Sequence, residues 1–120
     1  MTKVMIIEDD PTMISLLGTL LDMEGFQVAK VDKFGSVLDE IRTEDPDLIL
    51  MDVHLAAVDG LEILAELRQD KKLMAKKVIM SSGLDKKHES TLPGADDFLM
   101  KPYMPDELIE KVKRLIGQVN

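Results

Sequence analysis

The chain has 120 residues, 45% hydrophobic and 32% charged, with 15 Lys plus Arg against 23 Asp plus Glu and a formal charge of −8. That is the length of one domain with enough apolar content for a core, and its acidic balance argues against a nucleic-acid backbone or an anionic membrane as direct partner, because both repel it. There is no cysteine, which excludes disulfides and thiolate metal sites and fits a cytoplasmic protein, and no apolar stretch has the length of a signal peptide or a membrane span.

Strand-like and helix-like segments alternate along the chain. Residues 3–8 read as a strand. Pro11 suits the first turn of a helix, where its missing N–H is an orphan anyway. Met13, Ile14, Leu16, Leu17, Leu20 and Leu21 then form an apolar stripe at helical spacing, and Gly25 marks its end. Residues 26–31 read as a second, weaker strand. Val37, Leu38 and Ile41 mark a second helix, closed by Asp45-Pro46. Residues 47–52 are the third strand, apolar on both sides and so central in the sheet. A third helix with Leu61, Ile63, Leu64 and Leu67 follows Asp59-Gly60. Residues 77–81 and 97–100 are the fourth and fifth strands. Between them, 84–95 is polar and ends at Pro93-Gly94, which predicts only a short helix. Pro105 opens a last helix with Leu108, Ile109, Val112, Leu115 and Ile116 on its buried side. Five strands alternating with five helical segments imply βαβ crossovers and a parallel sheet.

Four of the strands end in residues suited to phosphate or metal chemistry. Glu8 and Asp9 follow Val4-Met5-Ile6-Ile7, Asp52 follows Leu48-Ile49-Leu50-Met51, Ser82 follows Val78-Ile79-Met80, and Lys101 follows Phe98-Leu99-Met100. Open parallel sheets bind ligands outside the carboxyl ends of their strands, so this chemistry converges on one edge. His54 and His88 have no spacing typical of a zinc site. The nine methionines fit soft core filling.

Taken together, Ile6-Ile7-Glu8-Asp9-Asp10, Leu50-Met51-Asp52 with Asp59-Gly60, Ser82, and Gly94-Ala95-Asp96-Asp97-Phe98 running into Lys101-Pro102 resemble the receiver domain of two-component response regulators, the CheY-like family. No one piece is specific; their order over about 3–117 is. The resemblance implies an α/β, flavodoxin-like three-layer sandwich, a parallel sheet in order 2-1-3-4-5 with five helices, the fourth short. Residues 1–120 would be one receiver domain, standalone or part of a longer regulator with an effector domain.

The resemblance assigns roles residue by residue. Asp52 is the phosphoacceptor, a carboxylate nucleophile that forms an aspartyl phosphate. Asp9, Asp52 and the backbone carbonyl of His54 bind Mg²⁺ directly, with Glu8 acting mainly through water. All-oxygen ligation suits that ion, which takes one or two carboxylates and keeps several waters. Asp10 is instead helix N-terminal decoration. Lys101 binds the acidic cluster when the site is empty and a phosphoryl oxygen when it is occupied. Ser82 is the hydroxyl that bonds the phosphoryl group, with Ser81 its rival by adjacency. Phe98 is the aromatic that follows the hydroxyl, or else a plain core aromatic. Partners would be a sensor histidine kinase or phosphotransfer protein, with no direct nucleic acid or membrane.

Two departures from the family stand out. Ala56 replaces a common proline, and the stretch from Ser82 to Lys101 is short by about one helical turn. The second makes an unusual partner surface an expectation for 84–95. A receiver-like binding module that does not use phosphorylation is the alternative, although the acidic pocket is intact. A Mg²⁺-dependent phosphatase with an aspartate nucleophile wants a second Asp where His54 stands and has a cap domain, so the chain reads as a signalling domain and not an enzyme.

Overall fold

The structure is a computed structural model, and it describes residues 2–31, 36–55, 58–83 and 94–117. In chain order the elements are β1 Lys3–Ile7, α1 Pro11–Met23, β2 Gln27–Val31, α2 Val37–Glu44, β3 Leu48–Asp52, α3 Gly60–Gln69, β4 Lys77–Ser82, β5 Asp97–Met100 and α4 Pro105–Leu115. The five strands form one sheet in the order β2-β1-β3-β4-β5, and every pairing is parallel. Four helices stand among the described residues. The short helix expected at 84–95 falls on 84–93, outside the described residues.

Strand alternation divides the core in two. Met5, Ile7, Ile49, Met51, Val78 and Met80 pack with Val37 and Ile41 of α2 and Ile63, Leu64 and Leu67 of α3. On the other face, Val4, Ile6, Leu48, Leu50, Ile79 and Leu99 pack with Leu17 and Leu21 of α1 and Leu108 and Val112 of α4. Every residue of β3 is buried, as the continuous apolar run requires of a central strand covered on both sides.

The helix ends follow from local chemistry. Asp10 caps α1, its Oδ1 accepting from Thr12 N at 2.9 Å and Met13 N at 3.4 Å. Pro11 occupies the first turn. At the other end Gly25 takes φ 90°, and Phe26 N donates to Leu21 O at 3.1 Å, which closes the helix on a glycine in the left-handed region. Asp59 caps α3 through Leu61 N at 2.9 Å. Pro105 opens α4, with Asp106 and Glu107 in the turn whose exposed N–H groups favour negative charge.

Two arginines and a lysine place β5, which leads into Lys101. Arg68 of α3 donates to the carbonyls of Met74, Lys76 and Gly94 and pairs with Asp96 at 2.8 Å. The same Asp96 carboxylate accepts from Val78 N at 2.8 Å, which sets the start of β5 beside β4. Asp97 then ties the strand to α4 through Lys111 at 3.0 Å and Arg114 at 2.7 Å. Burial pulls the Asp97 carboxyl upward, but these two cations and the N–H of Phe98 outweigh it and hold it below the usual carboxylate range.

Candidate functional site

Glu8 follows the last residue of β1, Asp52 ends β3, and Lys101 follows the last residue of β5. Continuing the alternation from Ile6, Leu50 and Leu99 puts all three on the α1/α4 face of the sheet. The lysine Nζ bridges the two acids, 2.8 Å from Glu8 Oε1 and 2.8 Å from Asp52 Oδ2. Both acids are buried, with side chains 4% and 8% exposed, and Lys101 is 21% exposed.

The remaining carboxylate oxygens are also engaged. Glu8 Oε2 accepts from Asp9 N at 3.2 Å and Asp10 N at 3.3 Å. Asp52 Oδ1 accepts from His54 N at 3.0 Å, so the chain just past the strand curls back over its own carboxylate. Three features of that turn hold it. His54 bridges Asp59 in antiparallel fashion. Gly60 N donates to Val53 O at 3.0 Å. A Cβ on Gly60 would collide with the carbonyl of Asp52, so the close approach of α3 to the end of β3 requires glycine.

Burial drives the ionisation of the cluster. It pushes the Glu8 carboxyl above its ordinary value, with the nearby Asp52 charge adding to the effect and Lys101 opposing it. The same burial would lower the Lys101 ammonium, but its hydrogen bonds to Asp52 and Glu8 prevail and hold it above the usual lysine value. Two acids against one lysine leave the cluster short of positive charge. One carboxylate oxygen from each of Glu8, Asp9 and Asp52 lies within 4.8 Å of the others. This all-oxygen donor set, buried on one side and open on the Asp9 side, fits a small hard cation such as Mg²⁺.

The two serines separate cleanly. In the ladder Asp52 pairs with Ser81, and Ser82 pairs with Met100. Ser81 therefore shares the face of Asp52, and Ser82 shares the opposite face with Phe98, which packs against the α2/α3 core. Both serines are buried, at 2% and 0% exposure. Ser82 O accepts from Lys101 N at 2.8 Å, which places the expected hydroxyl residue and the lysine side by side at the sheet edge. The structure thus brings Glu8, Asp9, Asp52 and Lys101 into one cluster. It sets Ser82 and His54 at the rim, and Phe98 two strand residues back on the Ser82 face. His54 is exposed, and Ala56 lies outside the described residues.

The residues from 4 to 113 match the response regulator receiver domain family. The chain belongs to that family. Among curated relatives, it is 32% identical over 117 residues to the alkaline phosphatase synthesis transcriptional regulatory protein PhoP of Bacillus subtilis, covering 95% of this chain and 48% of that protein. It is 32% identical over 124 residues to the DNA-binding dual master transcriptional regulator RpaA of Synechocystis, covering 100% of this chain and 51% of that one. The chain therefore spans about half the length of these relatives. Among solved structures, the receiver domain of the Francisella response regulator 1452 superposes with a TM-score of 0.88 at 28% identity, covering 100% of both chains. The protein is thus a receiver domain of a two-component response regulator, with the CheY-like fold and strand order that the sequence led us to expect. It is a signalling domain, and receiver domains generally bind Mg²⁺ at an acidic cluster of the kind formed by Glu8, Asp9 and Asp52. No helix among the described residues is long and apolar enough to cross a membrane.

The sequence reading missed Tyr103 of this receiver site, and it missed why Gly60 must be glycine. Asp59-Gly60 was legible as a motif before the third helix, but not the close approach of Gly60 to the Asp52 carbonyl, which is a tertiary contact. Tyr103 stands two residues past Lys101 and packs against the α1/α4 core. Its hydroxyl is buried, and burial, modified by the charges of Lys101, Glu8 and Asp52, pushes it up to about 12. Nothing in a Lys-Pro-Tyr tripeptide signals that neighbourhood. The Lys101–Pro102 peptide bond is cis.

Proposed function

We propose that Asp52 is the phosphoacceptor of this receiver and that residues 1–120 form one phosphorylation-controlled switch. The observation that carries the reading is the lysine bridge: one ammonium held 2.8 Å from each of two buried carboxylates. A cation kept among acids at a strand end can pass to a phosphoryl group attached to one of them.

In the reaction, an Asp52 oxygen attacks the phosphorus of a phosphohistidine on a sensor kinase or phosphotransfer protein. The O–P bond forms as the P–N bond breaks, and the leaving imidazole nitrogen keeps the electron pair. Catalysis of this kind rests on positioning and charge. Asp9, Asp52 and the backbone carbonyl of His54 would hold Mg²⁺, with Glu8 reaching it through water. When bound, the ion offsets the negative charge of the acids and of the transferring group. Lys101 turns from the acidic cluster to a phosphoryl oxygen, and Ser82 Oγ donates to another. Ser82 and Phe98 share one face of the sheet, so Phe98 would follow a shift of Ser82 toward the phosphoryl group. Phosphorylation then acts as a population shift between two packings that differ in these contacts. The output would be an effector domain elsewhere in a longer regulator or a separate protein, and the setting cytoplasmic.

The test is intact mass after incubation with acetyl phosphate and Mg²⁺, beside an EDTA control and Asp52→Asn. A phosphoryl-sized gain that requires Mg²⁺ and vanishes in Asp52→Asn is expected. No gain in any sample, with a cognate kinase as donor as well, would leave a phosphorylation-independent binding module as the better reading.

A further inference from the structure

Among the described residues, one buried side-chain polar atom has no hydrogen-bond partner, the hydroxyl of Tyr103. Buried polar groups are nearly always bonded, so an exception calls for a cause. The ring is held by packing against the α1/α4 core, the face on which Glu8, Asp52 and Lys101 stand. The hydroxyl is within electrostatic reach of all three charged groups. Yet in this state it bonds none of them, and each carboxylate oxygen of Glu8 and Asp52 is served by another donor. Lys101 takes Glu8 Oε1 and Asp52 Oδ2, the N–H groups of Asp9 and Asp10 take Glu8 Oε2, and His54 N takes Asp52 Oδ1. With its ionisation pushed up to about 12, Tyr103 keeps its proton and remains a donor.

The arrangement changes if Lys101 leaves. A lysine that turns toward a phosphoryl group on Asp52 takes its hydrogen bond away from Glu8 Oε1, on a side chain only 4% exposed. Among the described residues, the buried hydroxyl without a partner, on the same face of the sheet, is that of Tyr103. We propose that the Tyr103 hydroxyl is a positioning residue that replaces Lys101 as the donor to Glu8 when Asp52 carries a phosphoryl group. It keeps the Glu8 carboxylate paired while the lysine does its work elsewhere, so the unpaired hydroxyl is a feature of the resting form alone. This inference rests on the reading of Asp52 as phosphoacceptor.

The test compares Tyr103→Phe with the parent chain, unphosphorylated and with Mg²⁺ and beryllofluoride, a phosphoryl mimic that binds an aspartate. Phenylalanine fills the same space and removes the orphan hydroxyl. The unphosphorylated variant should unfold at the same urea concentration as the parent or a higher one. Its beryllofluoride affinity should fall about tenfold, the size of one hydrogen bond to a charged acceptor. Tyr103→Leu, which removes the ring too, should unfold at lower urea and lose no more beryllofluoride affinity than the phenylalanine variant does. Parent-like affinity in Tyr103→Phe, within twofold, would overturn the proposal, as would a loss confined to Tyr103→Leu, which would point to the ring. A parent chain that takes up neither beryllofluoride nor acetyl phosphate would instead sink the phosphoacceptor reading, and this inference with it.

Discussion

Replacing Lys101 with Met tests the arrangement of the site most directly. Methionine keeps the apolar stem and removes the ammonium, leaving Glu8 and Asp52 buried at 4% and 8% side-chain exposure without their shared cation. Removing one partner of a buried ion pair costs about 3–5 kcal/mol. The lower end applies here, about 3 kcal/mol, because Lys101 is 21% exposed and the pocket opens to solvent beside Asp9. With a urea slope of about 1.5 kcal/mol per molar, the unfolding midpoint should drop by about 2 M in EDTA. Mg²⁺ at about 100 times its dissociation constant should restore about 2.7 kcal/mol, because it binds the folded acids. The pH dependence has a definite sign. Burial holds Glu8 above its ordinary value in the folded chain. A carboxyl raised on folding binds more protons folded than unfolded, so its contribution is full at low pH and lost as pH rises through the folded value. Lys101 opposes that rise, so without it the window widens upward. The deficit of Lys101→Met should therefore be larger at about pH 7.5 than at about pH 5. The assay is equilibrium urea unfolding at both pH values, with EDTA and with Mg²⁺. A variant as stable as the parent at the higher pH in EDTA, or a deficit that grows on acidification, would refute the reasoning.

Three further perturbations probe other parts of the frame. Gly60→Ala drives a Cβ into the Asp52 carbonyl; it should cost about 1–3 kcal/mol in urea unfolding and slow phosphorylation as well, because the acceptor's own backbone must move. Asp10→Ala removes the cap of α1 and should cost about 1 kcal/mol while leaving the mass gain with acetyl phosphate intact, since Asp10 belongs to the helix and not to the pocket. Ser82→Ala should weaken beryllofluoride binding by about tenfold, whereas Ser81→Ala should change it little; the reverse ranking by titration would move the switching role to the serine that pairs with Asp52.

The strands, and the acids that end them, were legible in the sequence for a simple reason. A strand covered on both faces must be apolar at every position, so Leu48–Met51 announces itself as a run, and the polar residue that stops the run stands at the edge where ligands bind. Helix ends were legible too, because Asp10, Pro11, Gly25 and Pro105 act on backbone groups within a few residues of themselves. What lies within one strand or one turn can be read in order along the chain. Which oxygens Lys101 takes, which face each of Ser81 and Ser82 occupies, why Gly60 cannot carry a side chain and where the Tyr103 hydroxyl ends up were decided elsewhere. Each depends on tertiary neighbours, and the parallel register sets Lys101 beside residues 49 and 93 positions away. Local sequence carries no mark of such a neighbour, because the contact exists only once the sheet has formed and both of its faces are covered.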